Sequence, residues 1–327
     1  MLQDRLFKII VALICVVPIL SSCGGQEASE SKVASSESQV ASSESQVASS
    51  ESQQVTSCSP APSTTAGEVD NTDLSIKPSI QTPSKPPIDL EVENIVEGSG
   101  PQASAGSFLV MQYVGVSCST GAQFDASWDR GQPFSFELGA GKVIQGWDEG
   151  IAGMAVGGRR LLTIPAEKAY GSSGSGSGSI GPNETLLFIV DLLALVPTNL
   201  DKPSVSVPDG PASELTITDI AEGEGPEVQS GDIVYVHYVG YSQSSNTQFD
   251  ASWDRGREQY IIFPLGQGTV IDGWEEGLLG MKVGGRRELV IPPDLAYGSD
   301  GAGGGIIAPD ETLVFVVDLL GANAFLN

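Results

Sequence analysis

Apolar and polar positions change rhythm several times along this chain of 327 residues. Residues 9–20 form an unbroken apolar run, and serine-rich polar sequence follows it to about residue 86. From residue 88 the texture becomes strand-like. Segments 88–97, 108–117, 134–138, 159–164 and 185–196 carry valine, leucine, isoleucine, tyrosine and phenylalanine with partial alternation. Between the third and fourth, Val143, Trp147 and Ile151 recur at helical spacing while Asp148 and Glu149 fall on the other side. That pattern predicts one short amphipathic helix with a buried tryptophan. Strands interrupted by a single helix predict an antiparallel α+β domain and not a βαβ unit. The helix must cover one face of a curved sheet, since nothing else in the segment can.

The whole pattern then returns. Gln123-Phe124-Asp125-Ala126-Ser127-Trp128-Asp129-Arg130-Gly131 reappears unchanged 125 residues later, and Val143-Ile144-Gln145-Gly146-Trp147 returns as Val270-Ile271-Asp272-Gly273-Trp274, offset by 127. Two residues are therefore inserted in the second copy between Arg255 and Leu265. A period this long marks two whole domains. We place them at 87–197 and 213–327, joined by a proline-rich linker over 198–212.

The N-terminal part has a different character. Residues 1–22 combine Arg5 and Lys8 with an apolar run too short to span a bilayer, the form of an export signal. Leu20-Ser21-Ser22-Cys23 resembles a bacterial lipobox, which implies acylation of Cys23 and removal of the signal before it. Residues 23–86 read as a disordered Ser/Pro-rich tether. Its seven-residue repeat from Val33 has only adjacent apolar positions and cannot supply a coiled-coil seam. The expected location is exported, lipid-anchored to the outer face of the cytoplasmic membrane or to an outer membrane.

Charge and cysteines narrow the chemistry. A net charge of −25 excludes nucleic acid as a natural partner. A single histidine, His237, and no Cys-x-x-Cys exclude a protein zinc site, so no metal and no cofactor are expected. Ser127 and Ser252 have no base beside them in the motif, which excludes a hydrolase triad. His237 precedes Tyr238 on a strand, should face the opposite side, and is matched by Gln112 in the first copy. Cys58 and Cys118 could pair in an oxidising compartment, although no spacing rule requires it.

What remains is an aromatic set with few polar tips. The order Tyr-x-Gly, Phe-Asp-x-Ser-x-Asp-Arg, Leu-Gly-x-Gly-x-Val-Ile-x-Gly-Trp-x-x-Gly, Ala-Tyr-Gly, Thr-Leu-x-Phe resembles the FKBP-type peptidyl-prolyl cis-trans isomerases, in both copies and over most of the folded chain. The resemblance implies two FKBP-like domains, each a curved antiparallel β-sheet wrapped on one short helix, and an exported tandem lipoprotein acting as a monomer on proline-containing unfolded or folding polypeptides. It places catalytic roles on Tyr113, Phe124, Asp125, Trp147 and Tyr170, and on Tyr238, Phe249, Asp250, Trp274 and Tyr297. Substrate contacts fall to Arg130, Phe134, Val143, Ile144, Ile180 and Phe188, and to Arg255, Val270, Ile271, Ile306, Ile307 and Phe315.

The copies are not equal. The family's flap ends in paired isoleucines, kept as Ile306-Ile307, whereas the first copy has only Ile180 after a Gly/Ser run. Phe134 has no clean partner in the second copy, where Tyr260 or Ile261 could substitute. The second domain is therefore expected to be the better isomerase. A non-catalytic peptide-binding module or holdase would carry the same pocket.

Overall fold

The computed structural model describes residues 57–59 and 70–323. Residues 1–22, Cys23 and most of the tether fall outside them. Each copy forms a six-stranded antiparallel sheet. In the first, β1 (Glu91–Val96), β5 (Arg159–Ile164), β6 (Leu186–Val196), β2 (Phe108–Ser117) and β3 (Gln123–Ala126) are neighbours in that order, and β4 (Phe134–Glu137) also pairs with β2. In the second, β7 (Thr216–Ala221), β11 (Arg286–Ile291), β12 (Leu313–Asn323), β8 (Ile233–Ser242) and β10 (Ile261–Pro264) are neighbours, and β9 (Thr247–Ala251) pairs with β8. The short helices α1 (Ser127–Arg130), α2 (Gln145–Gly150) and α3 (Asp272–Gly277) complete the pattern. The expected α+β class and two-domain plan are the ones observed.

Glycine lets α2 sit close to the sheet. A Cβ on Gly146 would stand 2.3 Å from Ile164, and one on Gly273 would stand 2.4 Å from Ile291. The helix thus rests its backbone on β5 and drives Trp147 into the concave side among Leu109, Met111, Phe136 and Leu162.

The central strands are buried on both faces, so the helix cannot be the only cover. On the convex face of the first sheet, Val114, Val116, Ala126, Leu187 and Ile189 cluster with Ile80 and half-buried Cys58 and Trp128. This corrects the tether boundary. Residues 57–59 and 70–86 do not hang free, because the sheet's second apolar face needs a partner and they provide it. Ile80 is buried, Cys58 is disulfide-bonded to Cys118, and the fully buried Arg159 donates to the carbonyls of Asn71, Asp73 and Ile76, each at 3.0 Å.

The domains also touch. Val110, Leu193, Ala194 and Val196 share one cluster with Tyr235 and Leu320. The backbone at Gly321 lies so close to β6 that a Cβ would be 2.2 Å from the Leu193 carbonyl. The two-residue insertion joins them: Arg257 donates to the Pro197 carbonyl, and the Tyr260 hydroxyl lies 3.2 Å from that of Ser135.

His237 is wholly buried, stacked on Trp253 at 4.1 Å, with Nδ1 2.9 Å from the Ser252 hydroxyl and Nε2 2.9 Å from the Arg257 carbonyl. Ser252 therefore does have a base beside it, contrary to the expectation from the sequence, but both side chains are fully buried and neither lines the cleft. In the first domain the Ser127 hydroxyl donates to the amide oxygen of Gln112 at the equivalent place. Burial pushes the His237 imidazole down to about 4 from 6.5, outweighing the favourable contact with the Arg257 carbonyl. The folded state holds the ring neutral while the unfolded chain takes up a proton below pH 6.5, so second-domain stability should fall as pH drops from 6.5 towards 4. His237→Gln is expected to flatten that slope in denaturant unfolding at stepped pH.

Candidate active site

Two clefts open between helix and sheet, one per domain. The first has about 540 Å³ of space open to solvent, between Tyr113, Phe124, Phe134, Val143, Ile144 and Phe188, with Trp147 at its base. The second, about 510 Å³, is built from Tyr238, Phe249, Ile261, Val270, Ile271 and Phe315 over Trp274.

The base is a set of edge-to-face rings. Tyr113 and Phe188 each lie 5.2 Å from Trp147, at interplanar angles of 81° and 85°. Tyr238 and Phe315 meet Trp274 at 5.3 Å and 5.2 Å, at 81° and 85°. Such contacts favour a fixed ring arrangement. Phe124 meets Phe188 at 5.5 Å, and Phe249 meets Phe315 at the same distance. Gly115 explains the Tyr-x-Gly pattern: a Cβ there would be 2.7 Å from both phenylalanine rings, and Gly240 is as crowded. The indole N–H groups of Trp147 and Trp274 are buried without a hydrogen-bond partner among the described residues, and the rings around them, Tyr113 with Phe188 and Tyr238 with Phe315, give each floor its largely apolar surface.

One polar cluster stands at the rim. The Tyr113 hydroxyl donates to the Asp125 carboxylate, and Arg130 donates to the same carboxylate and, at 2.8 Å, to the Tyr113 oxygen. Arg255 repeats this with Asp250 at 2.7 Å and the Tyr238 oxygen at 3.2 Å. Burial and the adjacent Asp125 acceptor push the Tyr113 phenol up to about 12, which keeps it a donor at neutral pH. Tyr238 is raised for the same reasons. Behind the helix, Asp148 accepts from the Gly139 N–H at 2.8 Å and orders the loop that carries Val143. Glu275 does this for the Gly266 N–H at 2.5 Å.

Of the site residues expected from the sequence, Tyr113, Phe124, Asp125, Phe134, Val143, Ile144, Trp147, Tyr170 and Phe188 converge on the first cleft, and Tyr238, Phe249, Asp250, Val270, Ile271, Trp274, Tyr297 and Phe315 on the second. Arg130 and Arg255 sit behind the carboxylates they hold. The flap isoleucines differ from expectation. Ile180 and Ile307 are buried in the core and line neither cleft, and only Ile306 is exposed, at 57%. Each flap closes on itself through backbone hydrogen bonds, Ser175 to Ile180 and Ala302 to Ile307, which turns those side chains inward.

Two lining residues, Lys142 and Thr269, were not foreseen, and a third, Ile261, was one of two candidates for the place of Phe134. Register settles the last of them. Phe134 pairs with Met111, and Ile261 pairs with Val236, its equivalent 125 residues on. Ile261 is therefore the partner of Phe134, while Tyr260 packs among the interdomain residues.

A family model for FKBP-type peptidyl-prolyl cis-trans isomerase matches residues 100–193 and 225–320. The chain belongs to this family. Its class of activity is therefore prolyl cis-trans isomerisation. The FK506-binding protein of Streptomyces anulatus is 56% identical over 120 residues, covering 36% of this chain and 97% of that protein. The peptidyl-prolyl cis-trans isomerase FKBP10 of Homo sapiens is 38% identical over 220 residues, 67% of this chain and 35% of that protein. The crystal structure of AtFKBP13 is similar at 39% identity and a TM-score of 0.29, covering 32% of this chain and 90% of that one. Both matched segments contain the carboxylate with its arginine and the same cleft aromatics, except that Ile261 stands in the second for Phe134 in the first.

Proposed function

We propose that each domain accelerates rotation about X-Pro bonds by withdrawing the imide from water into its aromatic cleft. The imide's rotational barrier of roughly 18–20 kcal/mol comes from resonance. Water stabilises the planar, charge-separated form, whereas an apolar cleft favours the twisted, less polar one. Binding the twisted form better than the planar one is catalysis, and it needs no nucleophile or metal. The observation that carries this reading is the duplicated rim, where one Tyr–Asp–Arg cluster sits above an apolar tryptophan floor. Asp125 and Asp250 would face the twisting bond. The N–H of Ile144 or Ile271 and the hydroxyl of Tyr170 or Tyr297 would hold substrate carbonyls.

The second cleft carries Thr269 where the first has Lys142, and its flap presents exposed Ile306 where the first has Ser179. Both differences make it more apolar, which supports the second domain as the better catalyst. We place the chain outside the cytoplasm, anchored through acylated Cys23, with exported proteins as substrates. The Cys58–Cys118 disulfide supports export, since such bonds persist in oxidising compartments.

The test is prolyl isomerisation of a short X-Pro peptide by the soluble chain beginning at Ser57. Turnover is the expected result. Negligible turnover with retained suppression of aggregation would replace the enzyme with a holdase. For the anchor, labelled fatty acid should enter the full chain and be absent from Cys23→Ser.

A further inference from the structure

The segment in front of each domain is a second repeated element, and it reaches the catalytic loop. Lys77-Pro78-Ser79-Ile80 and Lys202-Pro203-Ser204-Val205 lie 125 residues apart, the offset of the Phe-Asp block. Pro78 and Pro203 are both buried. The segments are held by equivalent arginines on the sheet: Arg159 donates to the Ile76 carbonyl at 3.0 Å, and Arg286 donates to the Asp201 carbonyl at 2.7 Å. What the sequence presents as the end of a tether and as an interdomain linker is one strap, used twice.

Each strap lysine meets the same target. Lys77 Nζ lies 2.5 Å from Asp129 Oδ1, and Lys202 Nζ lies 2.6 Å from Asp254 Oδ1. The second carboxylate oxygen accepts from Gln123 Nε2 or Gln248 Nε2, both at 2.7 Å. These contacts, led by the lysine bond, hold Asp129 and Asp254 below the usual carboxylate range. Asp129 is the residue before Arg130, and Asp254 the residue before Arg255. Those arginines in turn carry the Asp125–Tyr113 and Asp250–Tyr238 clusters. A strap contact is thus one peptide unit away from the group that orients the rim carboxylate.

We propose that Lys77 and Lys202 are positioning residues for isomerisation: through Asp129 and Asp254 they fix the turn that aims Arg130 and Arg255 at the rim. The inference rests on the isomerase reading of the clefts. The lysine and aspartate side chains are 36% and 52% exposed in the first pair and 38% and 50% in the second. Exposed pairs of this kind contribute only about 0–1 kcal/mol to stability. Displacing a catalytic group by a fraction of an ångström, in contrast, changes rate markedly. Stability and turnover should therefore separate.

The experiment compares the soluble chain from Ser57 with its Lys77→Met/Lys202→Met and Lys77→Arg/Lys202→Arg forms. For the methionine form, kcat/KM is expected to fall about 3- to 10-fold with Tm unchanged within about 2 °C, and the arginine form to recover most of the loss. Amide exchange across residues 123–131 and 248–256 should quicken in the methionine form alone. The inference is overturned by unchanged kcat/KM, by a loss explained fully by unfolding at the assay temperature, or by an arginine form no better than methionine. Absence of turnover in the unsubstituted chain would instead defeat the isomerase reading. The strap is then judged by exchange alone, and unchanged exchange rejects it.

Discussion

A chain carrying Phe124→Ala, Asp125→Val, Phe249→Ala and Asp250→Val is expected to lose about 100-fold or more in kcat/KM on a short X-Pro peptide. Each phenylalanine contributes roughly 1.5–3 kcal/mol of apolar burial and an edge contact of about 0.5–1.5 kcal/mol to its cleft. Removing the carboxylate leaves Tyr113 or Tyr238 and its arginine without their charged acceptor, a further change of roughly 1–3 kcal/mol at the rim. At 1.36 kcal/mol per tenfold, even part of this sum expressed in the transition state reaches two orders of magnitude. Chains with one pair replaced should divide the activity unequally. Disabling Phe124 and Asp125 should leave the larger share, because the second cleft has Thr269 in place of Lys142 and its flap carries the exposed Ile306. A larger residual activity after disabling Phe249 and Asp250 would sink that ranking. Full activity in the fourfold variant would sink the aromatic-cleft mechanism itself.

Asp191→Ala is expected to destabilise the first domain by about 3–5 kcal/mol, measured as a lowered denaturant midpoint for that domain. Arg159 is 0% exposed, and Asp191 accepts from both Nε and Nη2, at 2.5 Å and 2.9 Å. Without the carboxylate a buried guanidinium keeps only three strap carbonyls as partners. The equivalent Asp318→Ala should cost less, since the Arg286 side chain is 20% exposed and can turn to water. Equal losses at the two positions would show that burial does not set the difference.

Much of the site could be read from order and spacing alone. Trp147 and Trp274 follow from helical periodicity beside glycine, and the Phe-Asp blocks from identity between copies. These features are local, so a linear pattern preserves them. The flap isoleucines misled for the opposite reason. Which side of a self-closed loop faces the cleft depends on its backbone hydrogen bonds, and Ile180 and Ile307 point into the core. Phe134 likewise had two possible partners across an insertion until register with β8 selected Ile261.

The strap was the largest element that the sequence concealed. Proline, serine and a few scattered apolar residues read as tether at 70–86 and as linker at 198–212, because neither stretch has its own periodicity. Motif order and repetition pointed by themselves to two antiparallel domains, each with its own aromatic set. Only the tertiary structure decided that the segment before the first domain covers that sheet's second apolar face, that Cys58 meets Cys118, and that Lys77 and Lys202 reach the turn behind the rim. Those facts depend on contacts between residues 50 or more positions apart, and such pairings are set by which apolar surfaces must close on one another.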